Sequence, residues 1–252
     1  MTRNIMITGA TSGIGLAIAQ AFAKAGDNLI LTGRRQDRLD QIQADLASQY
    51  GVKVWTYAMD VTQLDQVKAY CRQILDQVGQ IHILVNNAGL ALGLDPYQDY
   101  ALEDMTTMVD TNLKGLMAVT RMILPSMVAA DEGHLINIGS TAGLYAYAGA
   151  AVYAATKAAV KVFSDGVRID TIDKNIKVTT IQPGIVETDF SSVRFHGDLE
   201  RAKTVYQGID ALQAQDIADI TLYIANQPAH VQISDITVMA TQQATGFMIH
   251  RK

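Results

Sequence analysis

The sequence predicts a single α/β domain in which a parallel β-sheet is covered by helices on both faces. Short apolar segments alternate along the chain with longer segments whose apolar residues recur at helical spacing. This alternation is typical of repeated strand–helix–strand units, which build parallel sheets. The first unit, residues 3–25, joins its two parts through a glycine-rich turn. A length of 252 residues with no linker or internal repeat agrees with one domain, residues 1–252.

Composition favours a globular protein that does not bind nucleic acid. Apolar residues make up 49% of the chain and charged residues 18%, which suits a domain with a large core. The net charge of −5 supplies no basic surface for nucleic acid. The single cysteine, Cys71, excludes an internal disulfide and a cysteine cluster, and we predict no metal site. We see no signal peptide or membrane-spanning segment and therefore expect a cytoplasmic protein with no membrane partner.

The first half of the chain predicts four strands that alternate with helices. Apolar or alternating segments bounded by turn residues predict the strands at residues 3–8, 28–32, 52–58 and 80–85. Amphipathic segments predict the helices at residues 14–25, 36–50 and 62–78, with Thr62 as the N-cap of the third.

The second half predicts three more strands, at residues 135–140, 176–181 and 234–240. The predicted helices are residues 102–129, 150–172 and 214–226. Residues 185–214 have weak periodicity and mixed charge, and loops of that length are usually functional. We therefore predict a lid over the ligand site at about residues 185–214.

The turn after the first strand carries glycines at Gly9, Gly13 and Gly15. Glycine is needed where the backbone turns tightly and where a pyrophosphate must approach main-chain N–H groups. The helix that begins near Ile14 would present its positive N-terminal end to the same phosphates. Between a first strand and a first helix, this turn predicts dinucleotide binding.

Two arginines, Arg34 and Arg35, follow the second strand, where such a site recognises the ribose of the nucleotide. A carboxylate there would bind a ribose 2′-hydroxyl, whereas an arginine can engage a 2′-phosphate through its planar donor fork. The pair predicts a preference for NADP. The alternative is that both arginines merely begin the next helix.

A third signal is Tyr153 followed four residues later by Lys157, with Ser140 at the end of the fifth strand. On a helix the tyrosine and lysine share one face, and an ammonium beside a phenol lowers its pKa. A tyrosine tuned in this way can exchange a proton with a reacting oxygen, which Ser140 would also hydrogen-bond. The alternative is that the ring and the lysine stem simply pack.

Together these motifs make the chain similar to the short-chain dehydrogenase/reductase family over nearly its whole length. The resemblance implies a doubly wound, seven-stranded Rossmann sheet and a homotetramer assembled through two long helices. It implies Ser140, Tyr153 and Lys157 as catalytic residues, with Asn112 holding a water that relays protons to Lys157. The motifs are Thr8–Gly9, Gly13, Gly15, Asp60, Asn86–Gly89, Asn112, Ser140, Tyr153, Lys157 and Pro183–Gly184. The implied NADP-binding residues are Gly9, Thr11, Ser12, Gly13, Ile14, Gly15, Arg34, Arg35, Asp60, Val61, Asn87, Ala88, Gly89, Tyr153, Lys157, Pro183, Gly184, Val186 and Thr188.

A narrower resemblance, to NADP-dependent 3-hydroxy acid dehydrogenases, is carried by segments such as NNAGLALGLDP, TNLKGLMAVTR and SSVRFHGD. It implies a small-molecule substrate of the serine, allo-threonine or 3-hydroxypropionate type. We expect Ser140 to bind its reacting oxygen and Arg194, in the predicted lid, to bind its carboxylate. The alternative for Arg194 is a solvated arginine of the loop. The alternatives are a carbonyl or 3-oxoacyl reductase with another ketone substrate, and an NADP(H)-binding sensor without turnover. A sensor is disfavoured because Tyr153 and Lys157 are both present.

Overall fold

The computed structural model describes residues 2–252 and contains a seven-stranded parallel sheet between two layers of helices. The strands are β1 (Asn4–Thr8), β2 (Asn28–Gly33), β3 (Val54–Ala58), β4 (Ile83–Asn86), β5 (Gly133–Ile138), β6 (Ile176–Pro183), β7 (Val186–Glu187), β8 (Leu212–Gln213) and β9 (Asp235–Val238). The order of the strands in the large sheet is β3-β2-β1-β4-β5-β6-β9, which confirms the predicted fold class. A separate small sheet pairs β7 with β8.

Helices connect the strands and cover both faces of the sheet. They are α1 (Gly13–Lys24), α2 (Gln36–Tyr50), α3 (Leu64–Val78), α4 (Leu102–Val109), α5 (Leu116–Ala130), α6 (Ala151–Asp170), α7 (Phe190–Arg194), α8 (Leu199–Thr204) and α9 (Ala214–Ala225). A π-helical turn, Asp110–Gly115, joins α4 to α5, and short 3₁₀ turns occupy Tyr97–Asp99 and Thr141–Gly143.

Strand β1 shows why the sheet needs helices on both sides. Because successive side chains of a strand point to opposite faces, Ile5 and Ile7 lie on one face and Met6 on the other. Ile5 and Ile7 belong to a buried cluster with residues of α1, α2 and α9, among them Phe22. Met6 belongs to a second cluster with residues of α3, α5 and α6, among them Ile74. The apolar strands are thus buried on both faces, as parallel sheets require.

The strand order reverses at β1, and this reversal positions the ligand site. From β1 the chain first adds β2 and β3 on one side, and then returns to add β4, β5 and β6 on the other. In doubly wound sheets a crevice opens at the carboxyl ends of the two strands on either side of such a reversal. Here those strands are β1 and β4, whose register pairs Ile7 with Val85.

Three local predictions differ from the structure. The third helix begins at Leu64 and not at Thr62, because the Asp60 carboxylate accepts hydrogen bonds from the Thr62 N–H, at 2.9 Å, and from its hydroxyl, at 2.8 Å. These bonds hold Thr62 in a turn, and the N-cap position falls to Gln63. The predicted helix 102–129 contains the π-helical turn. Residues 185–214, expected as a loop, contain β7, α7, α8 and β8.

Within residues 2–252, one continuous helical stretch, Leu102–Ala130, is long and apolar enough by composition to cross a membrane. In this fold it comprises α4, the π-helical turn and α5. It packs against α3, α6 and the sheet, as a helix of an α/β domain does.

Candidate active site

A cleft of about 480 Å³ opens at the carboxyl ends of the strands, where the strand order reverses. One part is bordered by the glycine turn and the end of β2, and the other by α6 and α7. Nearly all the predicted site residues line it, while Gly15 and Asn112 lie behind its wall. The predicted residues in its lining are Gly9, Thr11, Ser12, Gly13, Ile14, Arg34, Arg35, Asp60, Val61, Asn87, Ala88, Gly89, Ser140, Tyr153, Lys157, Pro183, Gly184, Val186, Thr188 and Arg194.

The glycine turn has backbone angles and close contacts that a residue with a side chain could not adopt without strain or collision. Gly9 and Gly13 have φ angles of 66° and 53°, in the left-handed region that favours glycine. A Cβ on Gly15 would collide with the carbonyl oxygen of Gly9 and the side-chain nitrogen of Asn87. The turn therefore leaves room for a ligand to reach the backbone at the start of α1, as a dinucleotide pyrophosphate would.

Asn87 and Thr8 tie the ends of β4 and β1 together beneath this turn. The Asn87 side-chain amide donates to the carbonyl oxygens of Thr8, at 2.9 Å, and Gly9, at 3.1 Å. In return the Thr8 hydroxyl accepts from the main-chain N–H groups of Asn87 and Ala88, each at 3.0 Å. These reciprocal bonds fix the floor of the cleft.

Arg34 and Arg35 stand at the far end of the cleft, directly after β2. Arg35 donates to the hydroxyl of Thr11 at 2.8 Å, which draws its guanidinium toward the glycine turn. Both arginines are exposed and border the cleft. Their position and charge fit a 2′-phosphate on the ribose next to the turn.

Helix α6 places Tyr153 and Lys157 on one face, where both side chains are buried. The Lys157 ammonium donates to the carbonyl oxygen of Ile138 at 2.9 Å and lies 5.9 Å from the centroid of the Tyr153 ring. Ser140 follows β5 in extended conformation, and its hydroxyl accepts from the Ala142 N–H at 3.1 Å. The three predicted residues are thus brought together around one corner of the cleft.

The ionisation of this group differs from the sequence-based prediction. Burial raises the pKa of Tyr153 to about 12, whereas the Arg194 cation and a hydrogen bond from Ser140 act in the opposite direction. Burial also lowers the pKa of Lys157 to about 8. The pKa of Tyr153 is thus raised in this arrangement because burial outweighs the groups that lower it, and the contribution expected of Lys157, whose ammonium donates to Ile138, stays a prediction.

Asn112 lies in the π-helical turn behind Gly89 and is almost fully buried. Its side-chain oxygen accepts from the Leu90 N–H at 2.8 Å, and its nitrogen donates to the Leu90 carbonyl oxygen at 2.8 Å and to the Thr156 hydroxyl at 3.1 Å. The side chain therefore holds the main chain after β4 against α6. A role for Asn112 in proton transfer stays a prediction.

Arg194 reaches from α7 to the centre of the cleft. Its guanidinium carbon lies 5.2 Å from the centroid of the Tyr153 ring, 5.1 Å from that of Phe190 and 6.0 Å from that of Tyr147. One terminal nitrogen donates to the Tyr147 hydroxyl at 3.1 Å. Its Nε is buried and has no hydrogen-bonding partner among residues 2–252. A cation with free donors thus stands beside the hydroxyl-bearing ring of Tyr153.

The sequence reasoning missed three residues that shape this part of the cleft: Tyr147, Phe190 and Gln243. Gln243 comes from the C-terminal segment, and its side-chain oxygen accepts from the Ile185 N–H at 2.9 Å. Tyr147 and Phe190 stack around the guanidinium of Arg194. No local pattern marks Gln243, whereas the nearness of Tyr147 to Tyr153 in the sequence was a weak signal.

Within residues 2–252, no group of three or more His, Cys, Asp or Glu residues is placed to hold a metal ion. The cleft is lined by arginines, by the glycine turn and by the buried tyrosine and lysine. A dinucleotide cradle that leads to a buried tyrosine–lysine pair defines a nicotinamide-dependent oxidoreductase of the Rossmann type.

The chain belongs to the short chain dehydrogenase family, whose model matches residues 3–198. It is 45% identical over 249 residues to an NADP-dependent 3-hydroxy acid dehydrogenase of Salmonella typhi, a match that covers 98% of this chain and 99% of that protein. It is 41% identical over 253 residues to sulfoacetaldehyde reductase 2 of Chromohalobacter salexigens, which covers both chains in full. A solved structure, the closed form of a serine dehydrogenase complexed with NADP⁺, aligns with a TM-score of 0.92 and 41% identity over 99% of this chain and 100% of that one.

Proposed function

We propose that the protein is an NADP(H)-dependent oxidoreductase that interconverts a 3-hydroxy acid, of the serine, allo-threonine or 3-hydroxypropionate type, and its 3-oxo acid. The observation that carries the proposal is the Arg194 guanidinium 5.2 Å from the centroid of the Tyr153 ring. This arrangement puts a cation for a carboxylate beside the hydroxyl that would transfer the proton. The names of the dehydrogenase relatives support the same reaction.

The cofactor would lie along the cleft from Arg35 to Lys157. The glycine turn and the start of α1 would hold its pyrophosphate, and Arg34 and Arg35 its 2′-phosphate. Asp60 and Val61 line the cleft between these ends, and Pro183, Gly184, Val186 and Thr188 line it at the nicotinamide end. NADP, when bound, supplies the acceptor or donor of the hydride.

Tyr153 would move the proton between its hydroxyl and the oxygen of the substrate, while Ser140 orients that oxygen. With a pKa of about 12, Tyr153 is protonated near neutral pH, which suits proton donation during carbonyl reduction. Oxidation needs the phenolate, so its rate should rise with pH. Lys157 would bind the nicotinamide ribose, and Asn112 would hold the water through which protons reach Lys157.

The position of Arg194 also favours one rival reaction. The relative from Chromohalobacter is a sulfoacetaldehyde reductase by name. Sulfoacetaldehyde carries a sulfonate on the carbon next to its carbonyl, where a 3-oxo acid carries a carboxylate, and an arginine can bind either anion. A carbonyl reductase of neutral ketones would leave this cation without a partner.

The decisive experiment follows NADP⁺ reduction with L-serine, L-allo-threonine, 3-hydroxypropionate, isethionate and 1-propanol, with NAD⁺ as a second cofactor. Turnover of the hydroxy acids with NADP⁺ that disappears in Tyr153→Phe would support the proposal. Activity with isethionate alone would mean that the anionic group of the substrate is a sulfonate and not a carboxylate. Activity with 1-propanol alone would mean that the protein is a carbonyl reductase of another substrate class. NADPH binding without turnover of any substrate would mean that the protein is an NADP(H)-binding sensor.

We further propose that the protein is a cytoplasmic homotetramer whose subunits meet along the two long helices. Helix α6 exposes Val162 and Ile169, the turn after it exposes Ile172, and α5 exposes Met117. Apolar side chains on neighbouring helices are typical of an interface between copies. Light scattering during size-exclusion chromatography should give four chains for the wild type and fewer for Ile169→Glu. A wild-type monomer would contradict the proposal.

We also propose that residues 185–214 form a lid over the substrate. Helix α7 of this segment carries Phe190 and Arg194 into the cleft. The Gly93 N–H donates to the Arg194 carbonyl oxygen at 2.8 Å, so the segment is held against the chain after β4.

A further inference from the structure

Tyr147 and Arg194 meet across the cleft from different parts of the chain. Tyr147 lies in the loop before α6, and Arg194 lies at the end of α7 in the lid. The Arg194 guanidinium donates to the Tyr147 hydroxyl at 3.1 Å, and both side chains line the cleft. We propose that Tyr147 is a positioning and specificity residue, which aims Arg194 at the substrate and donates a second hydrogen bond to the same anionic group. The inference rests on the proposed function.

The hydrogen-bonding capacity of the pair points to an anion. The Tyr147 hydroxyl accepts from Arg194 and therefore keeps its own proton for another acceptor. Arg194 uses one donor on Tyr147, and its buried Nε has no partner among the described residues. A planar carboxylate could accept from both residues at once, and hydrogen bonds to charged groups are the strong ones.

The aromatic rings fix where that anion would sit. Tyr147, Phe190 and Tyr153 surround the guanidinium, with ring centroids between 5.1 and 6.0 Å from its central carbon. Because Tyr153 holds the reacting oxygen in the proposed mechanism, the anion must lie within a short span of that oxygen. A hydroxy acid with its charged group on the carbon next to the reacting carbon keeps that group near the reacting oxygen, so the inference favours such an acid over a longer one.

The Tyr147 hydroxyl acts on the guanidinium and not on the backbone of the lid. The main chain of Arg194 is held separately, by the hydrogen bond from the Gly93 N–H. Removal of the Tyr147 hydroxyl alone should therefore leave the lid in place and release only the guanidinium of Arg194. Tyr147→Phe makes this change while keeping the ring that packs near Phe190 and Tyr153.

Steady-state kinetics with 3-hydroxypropionate and with 1-propanol, which lacks the carboxylate, test the inference. Tyr147→Phe should raise KM for the acid about tenfold or more, which is the scale of a lost hydrogen bond to a charged group. The kcat for the acid should change little, and the KM for 1-propanol should not change. Tyr145→Phe is the matched control, because Tyr145 is exposed and does not line the cleft. In an Arg194→Gln background, Tyr147→Phe should raise KM less than it does in the wild type, because only its own hydrogen bond to the anion is then left to lose.

An unchanged KM for the acid, or an equal loss with 1-propanol, would overturn the role of Tyr147, and a full additional loss in the Arg194→Gln background would overturn its aiming of Arg194. A wild type that oxidises no hydroxy acid would overturn the proposed function instead. In that case calorimetric titration of the NADP-loaded protein with propionate still decides the inference. Binding weakened about tenfold in Tyr147→Phe supports the anion site, and equal binding by both proteins, or no binding by either, rejects it.

Discussion

His134 makes the stability of the protein depend on pH in a window that can be calculated. It lies in β5, 4% exposed, with its Nε2 at 2.8 Å from the Thr179 hydroxyl. Burial, with smaller contributions from the cations Lys177 and Arg3, lowers the pKa of His134 to about 3 from the usual 6.5. The unfolded chain therefore binds a proton at a pH where the folded protein does not.

The sign and size of the effect follow from this difference. Above about pH 6.5 neither state is protonated at this histidine, and the folded state keeps its full stability. As the pH falls below 6.5, protonation favours the unfolded chain, and the loss continues until the folded pKa near 3. At about pH 5 the calculated loss, RT ln(1 + 10^1.5), is about 2 kcal/mol of unfolding free energy.

Urea unfolding at about pH 7 and about pH 5, at one protein concentration, measures this loss. His134→Gln removes the buried imidazole. Between the two pH values, the unfolding free energy of this variant should therefore fall by about 2 kcal/mol less than that of the wild type. His230→Gln removes an exposed histidine and should keep the wild-type drop. If all three proteins lose the same free energy, the low pKa assigned to His134 is wrong.

Three further substitutions test the glycines and the cofactor end of the cleft. Gly15→Ala should cost about 1–3 kcal/mol of stability and most of the NADPH affinity, because the added Cβ collides with the Gly9 carbonyl. Unchanged NADPH binding in calorimetry would contradict this prediction. Gly166→Ala, where a Cβ meets nothing within 4 Å inside α6, should gain about 0.5–1 kcal/mol in urea unfolding, and a loss would mean that another copy packs there. Arg35→Ala should weaken NADP⁺ binding about tenfold and NAD⁺ binding little. Arg38→Ala, at an exposed position of α2, should change neither affinity. An equal loss of affinity for both cofactors would refute the role of Arg35 in binding the 2′-phosphate.

Local patterns were sufficient to predict most of the fold. The helix at residues 36–50 was predicted with its observed bounds, because its apolar residues repeat at helical spacing and Gly51 ends it in a left-handed conformation. The first strand, turn and helix were equally clear. In each case the determining interactions lie within a few residues of one another in the sequence.

Features that depend on contacts between distant segments, or on the hydrogen bonds and burial of a single side chain, were not predictable from local patterns. The start of α3 shifted because the Asp60 carboxylate competes for Thr62. The pairing of Tyr147 with Arg194 joins segments 47 residues apart, and neither segment has a local signal for the other. The high pKa of Tyr153 arises from burial, which a sequence spacing does not measure.

The π-helical turn Asp110–Gly115 lets one extra residue fit between α4 and α5. A π turn holds one more residue than a regular α-helical turn. In a regular helix an extra residue would rotate everything beyond it by about 100°, whereas the wider turn absorbs the residue and leaves the helices on either side in phase. Met108 in α4 and Val119 in α5 both keep their fully buried positions. The extra residue is thus taken up locally, in the turn that holds Asn112 against Leu90 behind the active site.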